Sequence, residues 1–350
     1  MKPLIYNLDL PELEAICAEL EQPRFRAGQI WRWLYVQRVT EWGAMRNIPG
    51  SLSTALADRF SLPAPEPLEI EGREDETRKL LISLADGECV ETVMIPAVDR
   101  RTLCLSSQVG CRFHCTFCAS GQDGFQRQLT SGEIVQQVIL ASRLWGDRPT
   151  HVVYMGVGEP FDNYEAVFKS VRTLNNADGL RIGARRITIS TCGVVSGIER
   201  LAEESIQVEL SVSLHASNGA VRTTLMPVNK TWPMDTLLDT CRAYTSRTRR
   251  IITFEYTLIR GVNDSEAHAR ELAARLKRLP CRVNLIPLSD VPEYAGKPSL
   301  PAAADLFIRT LAAHHINATL RASKGSRLRA ACGQLRSGRE EGRSRRSIIA

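Results

Sequence analysis

Three cysteines fall within one short stretch, Ser107-Gln108-Val109-Gly110-Cys111-Arg112-Phe113-His114-Cys115-Thr116-Phe117-Cys118. The spacing Cys-x3-Cys-x2-Cys presents three thiols along a single arc. Thiolates are soft donors that suit iron–sulfur clusters or zinc. A structural zinc needs four ligands, and the other nearby donor, His114, adjoins Cys115 awkwardly. A four-iron cluster normally takes four cysteines, so three leave one iron open to a ligand that brings its own donors. The chain has ten cysteines in all. The N-terminus, MKPLIYNLDLPELEAICAEL, has acids where a secretory signal needs an apolar core. A cytoplasmic location is expected, where thiols stay reduced, so the cysteines do not read as a disulfide scaffold.

Other residues could complete a site. Met155-Gly156-Val157-Gly158-Glu159-Pro160 contains Gly-x-Gly, but the third glycine of a dinucleotide turn is replaced by Phe161. A carboxylate such as Glu159 can face an ammonium group; equally, the stretch can be a glycine turn packed against the cysteine loop. Ser190, the run Ser213-Leu214-His215 and Asn284 lie at or near the ends of strand-like runs. Any one alone reads as a satisfied structural group. Their recurrence on successive strands favours a binding site. Taken alone, Cys104 reads as a buried strand cysteine and Glu91 as a surface acid. Cys17, Cys89, Cys192, Cys241 and Cys281 read as packing.

The elements that must position these residues show a rhythm. Six strand-like runs cover 102–107, 151–156, 186–191, 207–214, 251–259 and 281–287. Helical patterns cover 131–145, 163–175, 196–204, 234–246, 264–279 and 303–314, and Thr130 and Glu133 have capping-box spacing. This alternation predicts an α/β fold with parallel strands and right-handed crossovers. Six units are too few for a complete eight-stranded barrel, so an open, partial (βα)6 barrel is expected over residues 101–320. Its chemistry belongs at the C-terminal ends of the strands.

Residues 1–62 read as an N-terminal helical domain, with Leu13, Ile16 and Leu20 on one face. Arg24, Arg26, Arg32 and Arg38 interleave there with Trp31, Trp33 and Tyr35. They form either a nucleic-acid face or arginine stems laid over a small core. The stretch Pro63–Pro67 reads as a stiff linker. Residues 68–100 follow as a small β extension, with strand candidates KLLISL and CVETVMI.

Formal charge is +6. Residues 321–350 hold nine basic residues against Glu340 and Glu341, a balance of +7, which leaves −1 for the rest of the chain. A terminal basic block suits contact with a polyanion, or it is a solvated tail. Beyond about residue 335 the composition predicts disorder. No apolar run approaches the roughly 18 residues that span a bilayer.

The Cys-x3-Cys-x2-Cys motif on a strand–helix pattern resembles the radical S-adenosylmethionine superfamily. Nearly the whole chain is similar to the RlmN/Cfr family, whose members methylate adenine in RNA. The similarity is carried by PRFRAGQIWRWLY (23–35), RNIPG (46–50), VETVMIP (90–96), TLCLSSQVGCRFHCTFCASG (102–121), MGVGEP (155–160), SVSLHA (211–216), LMPVNK (225–230), VNLIPL (283–288) and AACGQL (330–335).

The resemblance implies a [4Fe-4S] cluster on Cys111, Cys115 and Cys118. S-adenosylmethionine would chelate the open iron and be held by Gly158, Glu159, Ser190, Ser213, Leu214, His215 and Asn284. It further implies that one cofactor molecule methylates Cys332 and a second yields a 5′-deoxyadenosyl radical, which takes a hydrogen from that methyl. The methylene then adds to adenine C2. Glu91 would accept the proton, and attack of Cys104 on the Cys332 sulfur would release methyladenine and leave a disulfide. The implied partners are 23S rRNA, tRNA, a one-electron reductase and a disulfide reductant, with no membrane.

Two departures from the family pattern stand near Cys332. Lys324 to Arg329 carry no acid where relatives often have one, and Leu288-Ser289-Asp290 replaces a common Asn-Pro. Two other functions remain open at this stage: C8 methylation in place of C2, and a non-catalytic metal-bearing RNA-binding protein.

Overall fold

The computed structural model describes residues 2–321, 325 and 328–336. Lys324, Arg327 and the Gly/Arg stretch from 337 onward, with its expected disorder, lie outside the described residues.

The N-terminal unit is built from three helices, α1 (Leu10–Glu19), α2 (Phe25–Arg32) and α3 (Gly50–Arg59). Asp9 accepts from the Glu12 N–H and the Glu12 carboxylate accepts from the Asp9 N–H, so two otherwise orphaned donors are satisfied at the start of α1. Leu13, Cys17, Ile30, Trp31, Leu34, Tyr35, Leu52 and Leu56 are buried. The interleaved pattern of α2 therefore separates by face. Trp31 and Tyr35 point inward, while Arg24 and Arg32 keep 81% and 66% of their side-chain surface exposed. The indole N–H of Trp31 donates to Asn176 Oδ1 at 3.2 Å, docking the helices on the barrel.

The extension is an antiparallel meander of β1 (Pro67–Glu71), β2 (Arg78–Ser83) and β3 (Cys89–Ala97). β1 starts inside the proline stretch expected to be a linker. Pro67 opens an edge strand, where its missing N–H deprives no partner. β3 pairs antiparallel with β4 (Arg100–Cys104), setting Val93 opposite Cys104. The extension and the barrel thus share one ten-stranded sheet.

A short hairpin, β5 (Gln108–Gly110) with β6 (Phe125–Gln128), frames the cysteine loop and the single turn α4 (Ala119–Gln122). From β4 the sheet continues in parallel through β7 (His151–Tyr154), β8 (Ile187–Thr191), β9 (Glu209–Ser213), β10 (Ile252–Leu258), β11 (Cys281–Pro287) and β12 (Asn317–Leu320). The crossovers carry α5 (Ser131–Trp145), α6 (Tyr164–Asn175), α7 (Val195–Leu201), α8 (Gly219–Leu225), α9 (Met234–Thr248), α10 (Glu266–Leu276) and α11 (Pro301–Ala313).

The α/β partial-barrel expectation holds, including the Thr130–Glu133 capping box that opens α5. The strand beyond the six expected is β12. It has four residues and an exposed edge, without the apolar run that marks the others. All seven residues of β10 are buried, as befits a strand covered on both faces.

Trp31 supplies both apolar burial and the docking bond to Asn176. Trp31→Ala should lower the unfolding free energy by about 3–5 kcal/mol. In urea melts the loss should clearly exceed that of Trp33→Ala, whose ring is only half-buried.

Candidate metal and cofactor centre

β5 ends at Gly110, whose φ of 71° sends the chain into the cysteine loop. The loop is held at several points. Cys111 N–H donates to the Gly124 carbonyl at 3.0 Å, Cys118 N–H to Cys115 at 3.1 Å, and Thr116 N–H to Leu225, the last residue of α8, at 3.0 Å. His114 Nδ1 pairs with the Gly121 carbonyl at 2.9 Å, so its ring is engaged within the loop.

Cys111, Cys115 and Cys118 line one cavity of about 160 Å³ at the C-terminal ends of the strands. Burial pushes the Cys111 thiol up to about 12 and raises those of Cys115 and Cys118; for Cys115 the other two thiols add to the effect. Metal ligation reverses this, because a bound cation deprotonates its thiols. Among the described residues, no three His, Cys, Asp or Glu side chains converge as tightly as one metal ion requires. Three soft donors on one cavity wall suit an iron–sulfur cluster that takes three thiolates from the protein.

Gly158, Glu159, Ser190, Ser213 and His215 line the same cavity. Gly156 and Gly158 let the loop after β7 lie directly on the segment after β4. A Cβ on Gly156 would stand 2.6 Å from the Leu105 carbonyl oxygen, and one on Gly158 2.5 Å from Gln108 Cβ. The buried Glu159 carboxylate accepts from Phe161 N–H at 3.0 Å and Cys192 N–H at 2.7 Å. The Thr191 hydroxyl and the Cys192 thiol also bond this carboxylate, whose negative charge faces the cavity and suits an ammonium partner. His215 Nδ1 accepts from Thr257 N–H at 2.9 Å, which leaves the proton on Nε2. Burial, aided by nearby Arg222, drives its pKa down to about 3.

Two expected cofactor contacts fall elsewhere. Leu214 is buried in the apolar core and lines neither this cavity nor its neighbour. Asn284 lines the neighbouring cavity, where it donates to Glu255 Oε1 at 3.1 Å and accepts from Thr319 at 3.0 Å. Ser289 lines the cavity of the three cysteines, and its buried hydroxyl has no partner among the described residues.

The second cavity, of about 660 Å³, lies deeper in the barrel and is lined by Cys104, Arg282, Asn284 and Thr253. Cys332, Glu255, Arg321 and Met155 line both cavities. The accessible surface of Cys332 therefore faces cavity space, between the cysteine loop and Cys104. Both Cys104 and Cys332 are free thiols. Burial pushes Cys104 up to about 12, with Cys332 adding and Arg321 opposing. Glu255, missed from the sequence, is buried with Oε2 unpartnered among the described residues.

The segment carrying Cys332 is fastened on three sides. Gly333 carbonyl accepts from Ala119 N–H at 2.7 Å, and Leu335 carbonyl from Ser120 Oγ at 2.7 Å. Gln334 donates to the Asp290 main-chain carbonyl at 2.8 Å. The Arg336 guanidinium pairs with Asp123 at 2.7 Å and Glu293 at 2.5 Å. Glu91 lines neither cavity. Its carboxylate accepts from Arg336 N–H at 2.7 Å and pairs with Lys79 at 3.0 Å. Burial still holds its pKa above the ordinary value, against both partners.

Comparison with known proteins is consistent across the chain. Residues 105–273 match the radical SAM superfamily, and residues 5–62 match the ribosomal RNA large subunit methyltransferase N-terminal domain. A protein of Dictyoglomus thermophilum named "Probable dual-specificity RNA methyltransferase RlmN" is 44% identical over 95% of this chain and 96% of its own length. Its namesake in Geobacillus kaustophilus is 45% identical over 95% and 92%. The crystal structure of a radical SAM methyltransferase from Sphaerobacter thermophilus superposes with a TM-score of 0.92. That protein is 45% identical, and the match covers 96% of this chain and 99% of that one.

The depressed His215 pKa carries a stability signature. The unfolded chain protonates this group near pH 6.5, the folded chain only near 3. Its contribution is complete above pH 6.5 and is lost as pH falls through that window, by up to about 1.4 kcal/mol per pH unit. Urea melts between pH 6.5 and about pH 5 should show this slope in the parent protein and not in His215→Gln.

Proposed function

We propose that this chain, which belongs to the RlmN family of radical S-adenosylmethionine RNA methyltransferases, methylates carbon 2 of adenine in 23S rRNA and in tRNA. The observation that carries this reading is the position of Cys332. Its thiol lies on the wall between the cavity of the three-cysteine loop and the larger cavity that holds the second thiol, Cys104.

Adenine C2 is electron-poor and cannot attack a sulfonium methyl, so a route through protein sulfur is needed. A [4Fe-4S] cluster on Cys111, Cys115 and Cys118, with S-adenosylmethionine on its open iron, supplies the methyl group and one-electron radical chemistry. The chain's own residues do the rest. Glu159 faces the ammonium of the cofactor, with Gly158, Ser190, Ser213, His215 and Ser289 around it. Cys332 accepts the methyl and presents it to the larger cavity, which receives the unstacked base. Glu91 takes the C2 proton once the Cys332 segment shifts from its bond at Arg336. With that proton and one electron gone from the adduct, the Cys104 thiolate attacks the Cys332 sulfur, the sulfur–methylene bond breaks, the carbon takes a proton to become the methyl group, and a disulfide is left for an external reductant.

The outward arginines of α2 and the basic segment 321–350 contact RNA phosphates, and recognition is largely of folded shape. A one-electron reductase supplies the cluster, and the enzyme works in the cytoplasm. No helix of the described residues is long and apolar enough to cross a membrane. The RlmN name shared by the relatives supports C2 over the C8 product of Cfr-type enzymes.

Cys332→Ala should retain iron and cofactor binding and lose methylation entirely; methyl transfer by that variant would sink the mechanism. Cys104→Ala should instead stall with RNA joined to protein, seen as a nuclease-sensitive shift in a denaturing gel. Mass spectrometry of digested rRNA against 2-methyl- and 8-methyladenosine standards assigns the carbon.

A further inference from the structure

Arg222 has no exposed surface at all. It sits on α8, whose last residue accepts from Thr116 inside the cysteine loop. Its guanidinium donates only to neutral oxygens: Asn229 Oδ1 at 3.2 Å, the Cys192 carbonyl at 2.6 Å and the Ser213 carbonyl at 3.3 Å. Nε has no partner, and among the described residues no carboxylate forms an ion pair with it. The nearest acid along this path, Glu159, takes the N–H of Cys192 while Arg222 takes its carbonyl, so one residue separates the two charges.

A guanidinium does not give up its proton in a protein. A buried cation without an anion is strongly unfavourable. The groups that bear on it electrostatically are the thiols of Cys192, Cys115 and Cys241. Neutral thiols offer it no compensation. Ligation of iron turns Cys115 and its two partners into thiolates, and a four-iron cluster with three thiolates carries net negative charge that increases on reduction.

We infer that Arg222 is the buried counter-cation of the cluster, a positioning residue that favours its reduced form and so eases electron entry. This rests on the cluster assignment above. The same guanidinium fixes the carbonyls at the ends of β8 and β9, next to Ser213 on the cofactor cavity wall. The low dielectric of the site makes its charge count for more than a surface arginine's would.

The test is an anaerobic redox titration, followed by electron paramagnetic resonance, of reconstituted parent protein, Arg222→Met and Arg222→Lys, with iron counted in each. Arg222→Met with full iron should show a reduced-to-oxidised ratio about tenfold lower at a given potential, which is a midpoint shift of about 59 mV for one electron. Arg222→Lys should recover most of it. Should Arg222→Met fail to take up iron, Arg222→Gln, which can still donate to the carbonyls, replaces it. Neutral variants that lose the cluster while Arg222→Lys keeps it also support the inference. A loaded neutral variant with an unchanged midpoint, or loss of iron from all three variants, overturns it. Parent protein that binds no four-iron cluster would instead overturn the cluster assignment.

Discussion

One backbone hydrogen bond governs how the two groups of cysteines stand to each other. Ala119 N–H donates to the Gly333 carbonyl at 2.7 Å. Ala119 follows Cys118 and Gly333 follows Cys332, so this contact, with those of Ser120, Gln334 and Arg336, holds the Cys332 segment against the cysteine loop across more than two hundred residues of chain. It also explains the glycine of AACGQL. Gly333 adopts a φ of +81°, and a Cβ there would sit 3.3 Å from the Phe117 carbonyl oxygen. A larger residue would push Cys332 away from the loop it must reach.

Around that contact the barrel encloses a polar-lined interior. The buried groups are arranged in opposition. Glu159, Glu255 and Glu91 are acids in low dielectric, held by peptide N–H groups, by Asn284 and by Lys79 respectively. Arg321 brings positive charge to the wall of both cavities, and Arg222 lies buried behind the carbonyls of Cys192 and Ser213. The interior is therefore poised for anionic and cationic occupants, and the energetic cost of these buried charges is the counterpart of that readiness.

Much of this was legible in the sequence, for identifiable reasons. The barrel strands announce themselves by apolar runs such as ITFEYTL, and α5 by its Thr130–Glu133 cap. The thiol loop is legible because its ligands are local. β12 is not, because a short edge strand buries too little to need an apolar pattern. Asn284 and Ser289 show the limit more sharply. Five residues apart on and after one strand, they enter different cavities, and spacing alone does not say where the strand leaves the barrel wall. Glu255 and Arg222 carry no motif; their significance arises only from complete burial. The partition of the arginines and aromatics of α2 likewise required knowing which face meets the core.

The β3–β4 hairpin sets the spacing between Glu91 and Cys104. Two residues, Val98 and Asp99, reverse the chain between these strands, and the ladder beyond them sets Val93 opposite Cys104, with Thr92 Oγ1 bonding the Cys104 carbonyl at 2.6 Å. Side chains on a strand alternate faces, so adding or removing one residue at this turn inverts β3 against β4. Glu91 would leave Arg336, while Lys79, on the adjoining β2, would travel with it, and the acid and the Cys104 thiol would lose their fixed separation. The turn acts as a gauge block. Its two-residue length fixes the placement of Glu91 and Cys104, several residues away on either side.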